Sequence, residues 1–248
     1  MSLRRFILPP TCFIGRQATV SGEPYRHMVT VLRLAPGSRL LLADGSGREA
    51  SGTIRTIDRE SLLVDLDAEL AAVAATAAPA ITLYQGLPKG EKLDLILQKT
   101  TELGVAAIVP FQADRSVVRL TADRVADRVQ RWQRIVLEAA RQAGRSSVPL
   151  IDFTADLAAV TRHGNQELKL LLWEGETERG MKTVLNGCPR PASIAVLVGP
   201  EGGLTAAEAA TAQSAGFIPV TLGQRILRTE TAGLAVLAIL QYEWGDLG

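Results

Sequence analysis

Residues 194–232 constrain this chain most, because they place two glycine-rich loops directly after two short apolar runs. Residues 194–198 have the length and composition of a buried strand, and Gly199-Pro200-Glu201-Gly202-Gly203 follows at once. Thr205 with Glu208 three residues later is a capping box, so a helix begins where the loop ends. Gly216 stops that helix as a left-handed cap, and residues 218–222 read as the next strand. Two strand ends therefore carry glycine-rich turns, and in open α/β sheets ligands bind at the carboxyl ends of strands.

The chemistry of the loops narrows the ligand. A phosphate cradle needs free backbone N–H groups and no carboxylate nearby, whereas Pro200 lacks an N–H and Glu201 adds negative charge. The second loop runs through Arg225-Ile226-Leu227-Arg228-Thr229-Glu230-Thr231-Ala232 into the apolar run 233–240. It reads either as a capped helix start, with Thr229 or Glu230 bonding first-turn amides, or as a functional cluster. Arg225 and Arg228 are unfavourable beside a positive helix terminus, which favours the cluster.

A chain of 248 residues, 47% hydrophobic, supports a sizeable core in one large domain or two small ones. No apolar run approaches the roughly 18 residues that span a bilayer, and Arg4-Arg5 is not followed by a signal-peptide core. A soluble protein is expected. Cys12 and Cys188 are too few for a disulfide framework, which points to a reducing cytoplasm. With His27 and His163 they offer no metal-ligand spacing, so no metal is expected. Net charge is +1, but residues 1–40 carry six arginines against one glutamate and residues 114–145 eight arginines against four acids. Two lysine-free basic blocks suit phosphate recognition, since guanidinium grips phosphate oxygens bidentately.

In chain order, residues 1–70 show short β-type runs (38–43, 48–57, 61–66) separated by turn signals such as Asp44-Gly45-Ser46-Gly47, and a short helix over 24–34; a small barrel is expected. Residues 71–80, AAVAATAAPA, read as a linker or frayed helix. From residue 81 strands and helices alternate: a strand at 81–85, a helix at 91–103 ended by Gly104, a strand at 105–109, an amphipathic helix at 123–144 and a strand at 168–173. Alternation of this kind builds a mostly parallel α/β sheet. The final helix, 232–244, is apolar almost all round and needs cover on more than one side.

Gly199-Pro200-Glu201-Gly202-Gly203, Leu222-Gly223 and Arg228-Thr229-Glu230-Thr231-Ala232, at these distances, resemble the RsmE family, the 16S ribosomal RNA (uracil-N3)-methyltransferases of the SPOUT superfamily. The resemblance extends to Leu87-Pro88-Lys89-Gly90, Gln98-Lys99-Thr100-Thr101-Glu102-Leu103-Gly104, Glu138-Ala139-Ala140-Arg141-Gln142, and His27 with Val31-Leu32-Arg33. It implies a PUA-like RNA-binding β-barrel over 1–72 and a SPOUT methyltransferase domain over 73–248, with a C-terminal trefoil knot around a mostly parallel sheet. Physics alone would predict an ordinary doubly wound sheet, since knots are essentially absent among folds.

The resemblance further implies S-adenosylmethionine as cofactor, 16S rRNA of the small ribosomal subunit as substrate in its decoding region, and a homodimer through the SPOUT domain. Cofactor contacts then fall on Gly199, Pro200, Glu201, Gly202, Gly203, Leu222, Gly223, Ile226, Leu227, Arg228, Thr229, Thr231 and Ala232. Trp173 and Glu174 join them where the family places a third loop, although Trp173-Glu174-Gly175 departs from the Pro-Glu type expected there. Candidate RNA contacts are Arg26, His27, Arg33, Lys89, Arg115, Arg119, Arg141 and Arg145. Uracil N3 must lose a proton to attack a methyl group, so a cation is needed to stabilise charge on the flanking carbonyl oxygens, and a base to take the proton. Arg228 is the candidate cation; Glu230 and Glu201 are the candidate bases. Two alternatives share these features, a SPOUT ribose 2′-O-methyltransferase and a non-catalytic RNA-binding assembly factor. A dinucleotide oxidoreductase does not, because no Gly-x-Gly-x-x-Gly follows the first strand of the α/β region.

Overall fold

The computed structural model describes residues 3–73 and 78–247, without the side chain of His163. Residues 74–77 of the expected linker lie outside the described residues. The chain divides into two compact units, Met1–Ala75 with Ala140–Val148, and Thr76–Ala139 with Pro149–Gly248.

The first unit is built from β1 (Arg5–Ile7), β2 (Phe13–Ile14), β3 (Gln17–Ser21), α1 (Gly22–Arg26), β4 (Arg39–Ala43), β5 (Arg48–Ile57), β6 (Ser61–Leu66) and β7 (Ala71–Ala72). The sheet order is β1-β4-β5-β6-β3-β2, with β7 pairing β5. Alternation of buried with exposed residues in β3, and of buried with partly buried ones in β6, points Ala18, Val20, Leu62 and Val64 into one core with Met28, Leu40, Leu42 and Ile54. The end strands β1 and β2 are not paired with each other, so the expected barrel is open along that seam.

Three expectations are corrected in this unit. The 24–34 helix is a single α turn, α1, running into a π-type turn at His27–Val31. It ends at Val31, capped by Leu32, and the next residue, Arg33, is the one described non-glycine residue with positive φ (52°). Ala71 and Ala72 are not linker but pair antiparallel with Glu49 and Arg48. Strands β1 to β3 escaped the sequence reading because each is short and flanked by proline or glycine.

The second unit carries β8 (Ala80–Gly86), α2 (Lys92–Glu102), β9 (Ala107–Phe111), the long helix α3 (Ala122–Gln142) except for its last three residues, which belong to the first unit, β10 (Leu150–Ile151), α4 (Leu157–His163), β11 (Leu168–Leu172), α5 (Met181–Asn186), β12 (Ser193–Val198), α6 (Ala206–Ser214), β13 (Ile218–Val220) and α7 (Thr229–Trp244). Its six strands are all parallel in the order β10-β9-β8-β12-β11-β13. Strand β12 is buried on both faces, as its unbroken apolar run requires. The strand expected at 105–109 lies at Ala107–Phe111, and that expected at 218–222 stops at Val220, which frees Thr221 and Leu222 for the following loop. Helix α7 buries Val236, Leu237 and Leu240 against the sheet and α2, but leaves Ile239 and Tyr242 exposed.

Candidate active site

Strands β11, β12 and β13 are neighbours, and the loops leaving their carboxyl ends enclose a cavity of about 600 Å³. The crossover that puts β12 between β8 and β11 brings these loops together. Leu172, Val198, Leu204, Val220 and Leu222 give the cavity apolar walls, while Glu174, Glu176, Thr177, Thr221, Gln224 and Arg225 give it a polar side.

The first glycine loop is held by its chemistry. Pro200 O accepts from Gly203 N at 2.9 Å, and Gly203 takes φ +68°, a conformation that a side chain resists. A Cβ on Gly203 would also stand 2.8 Å from Glu174 Oε1. The predicted capping box is present: Thr205 Oγ1 accepts from Glu208 N, and Glu208 accepts from Thr205 N at 2.8 Å. The same buried carboxylate accepts from Asp114 N at 2.8 Å. Arg115 ties two loops together, donating to Gly202 O at 3.0 Å and lying 3.7 Å from Glu174.

Of the predicted cofactor residues, Trp173, Glu174, Gly199, Glu201, Gly203, Leu222, Gly223, Ile226, Leu227, Thr229 and Ala232 line the cavity. Pro200, Gly202, Arg228 and Thr231 do not. Glu176, in the turn the resemblance placed at the cofactor, also lines the cavity, and with it Thr177, Thr221 and Gln224, which sequence reading did not single out. Backbone N–H groups of Arg179 and Glu178, each 2.9 Å from Glu176 Oε1, donate to that carboxylate and hold it below the ordinary glutamate range.

The start of α7 does not follow either capping expectation. Its N-cap is Arg228, without a side-chain cap, and the Thr229 hydroxyl donates to Gly199 O at 2.6 Å instead of bonding first-turn amides. Arg228 is 82% exposed and lies 4.0 Å from Glu230 Oε1. Ile226, 89% exposed, stands at the cavity's rim on the same loop.

Lys92, at the first turn of α2, is a site residue that the sequence did not signal. Its ammonium lies 2.9 Å from Glu201 Oε1 and 3.4 Å from Glu230 Oε2, so both candidate bases share one cation. Burial would raise the Glu201 carboxyl, but the Lys92 hydrogen bond and backbone donors, including Lys89 N at 3.0 Å, outweigh it and lower it. Lys92 is raised in turn, chiefly by its bond to Glu201. A carboxylate so stabilised is a weak base.

The candidate RNA residues are dispersed. Arg26, His27 and Arg33 are exposed together in the first unit, with His27 edge-on to Phe6 at 6.4 Å. In that unit Arg141 reaches Ile7 O at 3.5 Å and Arg145 reaches Ser147 Oγ at 3.3 Å. In the second unit Lys89 is exposed, Arg115 serves the loops, and Arg119 donates to Asp114 O at 2.9 Å.

A family model described as RNA methyltransferase domain matches residues 76–241, and a second, RNA methyltransferase PUA domain, matches residues 20–67. Ribosomal RNA small subunit methyltransferase E of Bacillus subtilis is 32% identical over 91% of this chain and 90% of that protein. The protein of the same name from Mycobacterium bovis is 33% identical over 96% of this chain and 90% of its own length. This chain belongs to the ribosomal RNA small subunit methyltransferase E family. A crystal structure of the family's Neisseria gonorrhoeae member, bound to S-adenosyl methionine, superposes with a TM-score of 0.82, 34% identity and full coverage of both chains. Family membership accounts for both expected architectures, the PUA-like N-terminal unit and the parallel α/β unit with its strand-end cavity.

Proposed function

We propose that this protein transfers a methyl group from S-adenosylmethionine to N3 of a uridine in the decoding region of 16S rRNA, acting on the small ribosomal subunit. The cavity between three strand-end loops is the observation that carries this reading. Its residues fit the cofactor: main chain at Gly199, Gly203 and Gly223 admits a flat nucleoside, and apolar walls cover it. The carboxylates of Glu174, Glu176 and Glu201 suit a ligand with cationic sulfonium and ammonium groups. S-adenosylmethionine supplies an electrophilic methyl on that sulfonium.

The chain's own residues do the rest. Arg228, between two cavity residues and open to solvent, stabilises the negative charge that deprotonation spreads over the oxygens flanking N3. Glu201 and Glu230, both paired with Lys92, support the loops, and the proton that leaves N3 passes to solvent water. N3 is on the pairing edge of uracil, so the target nucleotide must be unpaired or flipped out to reach the cavity. Exposed arginines, among them Arg26 and Arg33, hold RNA through its phosphates.

Three features of the assembly belong to this reading. The chain works as a homodimer through α2 and α7, where Leu95, Ile239 and Tyr242 stand exposed. Its C-terminal segment is knotted, with β12 inserted between β8 and β11 and α7 returning onto α2, β8 and β12. It is cytoplasmic, in keeping with a ribosomal substrate and two free cysteines. Incubation with methyl-labelled S-adenosylmethionine and unmodified small subunits, isolated 16S rRNA or transfer RNA tests the substrate class. Label is expected in the RNA of the subunits; label confined to transfer RNA, or absent throughout, contradicts the reading.

A further inference from the structure

The carboxyl end of β8 contains a polar side chain that neither the cavity nor the charge cluster at its rim uses. Gln85 is fully buried (0% exposed), and its Nε2 lies 2.9 Å from Thr229 Oγ1, 3.0 Å from Gly86 O and 3.4 Å from Gly199 O. Two carbonyl oxygens crowd one end of this amide, so only its NH2 group can face them. Thr229 Oγ1 accepts from Gln85 and passes its own proton toward Gly199 O at 2.6 Å. A relay therefore runs from β8 through the first residue of α7 to the first residue of the glycine loop. Beside it, a Cβ on Gly86 would stand 2.5 Å from Pro200 Cδ and 2.6 Å from Pro200 N, so the same peptide is seated against bare backbone.

The other end of the amide is what distinguishes this arrangement from packing. Gln85 Oε1 is buried and has no hydrogen-bond partner. An apolar residue of similar size would fill the space without burying an unpaired acceptor, so the amide is retained for what its NH2 group holds.

We propose that Gln85 is a positioning residue for the cofactor site: through the Thr229 hydroxyl it fixes the Gly199–Pro200 peptide, so that the glycine loop and the start of α7 meet the cofactor as one rigid wall. The proposal rests on the reading of the cavity as an S-adenosylmethionine site. Gln85 does not line the cavity, whereas Gly199 and Thr229, which it holds, do.

Isothermal titration with S-adenosylmethionine, alongside 16S rRNA filter binding and thermal unfolding, tests it on the full chain. Gln85→Met and Thr229→Val are each expected to weaken cofactor binding by about tenfold or more, on the scale of one lost buried hydrogen bond. RNA affinity is expected to stay within about twofold, a selectivity that general destabilisation would not produce. Thr229→Ser, which keeps the hydroxyl, is expected to stay near wild type. The double variant is expected to be little worse than either single one, because both break the same relay. Cofactor affinity unchanged in Gln85→Met, or in Thr229→Val should Gln85→Met fail to fold, overturns the proposal, as do effects that multiply in the double variant. Wild-type protein without affinity for S-adenosylmethionine instead removes the reading of the cavity, and the proposal with it.

Discussion

Arg228 and Lys92 divide the positive charge around the cavity between two tasks. Lys92 is committed to Glu201 and Glu230, whereas Arg228 is loosely paired and exposed, free to meet a substrate. Arg228→Ala is therefore expected to lower kcat by about 10²–10³-fold, the size of losing one donor to developing charge, while cofactor affinity stays near wild type. Single-turnover methyl transfer beside calorimetry checks both halves. Glu201 makes the pH prediction. Its carboxyl is depressed in the folded protein, so the stabilisation it provides is present above the ordinary glutamate value of about 4.3 and is lost as pH falls through the lower folded value. Melting temperature against pH is expected to drop less over that acidic range for Glu201→Gln, and for Lys92→Met the drop is expected to be smaller than in the wild type and to level off at a higher pH, because the folded carboxyl then lies closer to its unfolded value.

At the scale of elements, local signals were legible and long-range ones were not. Thr205 with Glu208 spells a helix start within four residues, and the capping box is there; Thr205→Ala is expected to cost about 1 kcal/mol in chemical unfolding. Gly216 and Gly104 also announce themselves, since a left-handed residue after an apolar helix has few other readings, and both have positive φ. Gly86 announces nothing. Its neighbour in space, Pro200, is 114 residues away, so only the folded chain reveals that a methyl group there has no room. Gly86→Ala is expected to destabilise by about 1–3 kcal/mol and to weaken cofactor binding, because the glycine loop must move to admit the methyl. Lys92 and Gln85 were hidden for the same reason, each lying on an element remote in sequence from the loops it holds. The cofactor loops themselves were readable because their residue types contradict ordinary packing, with charge and glycine where a buried strand end wants neither. The order β8-β12-β11-β13 has no local signature at all, and the sequence reading did not state it.

For the whole molecule, one exposed apolar surface and one reaction remain to be measured. Leu95, Ile239 and Tyr242 are large side chains left open on α2 and α7, two helices that pack on each other. Sedimentation equilibrium is expected to return twice the mass of 26.5 kDa for the wild type and a monomer for Ile239→Glu with Tyr242→Glu. No helix among the described residues is long and apolar enough to cross a membrane. The most direct test is the identity of the methylated nucleoside, found by complete digestion and mass spectrometry of 16S rRNA from small subunits treated with S-adenosylmethionine and either wild type or Arg228→Ala. The account predicts 3-methyluridine from the wild type at one position in the decoding region, and almost none from the variant under the same conditions. A methyl group on a ribose, or equal yield from the variant, contradicts it.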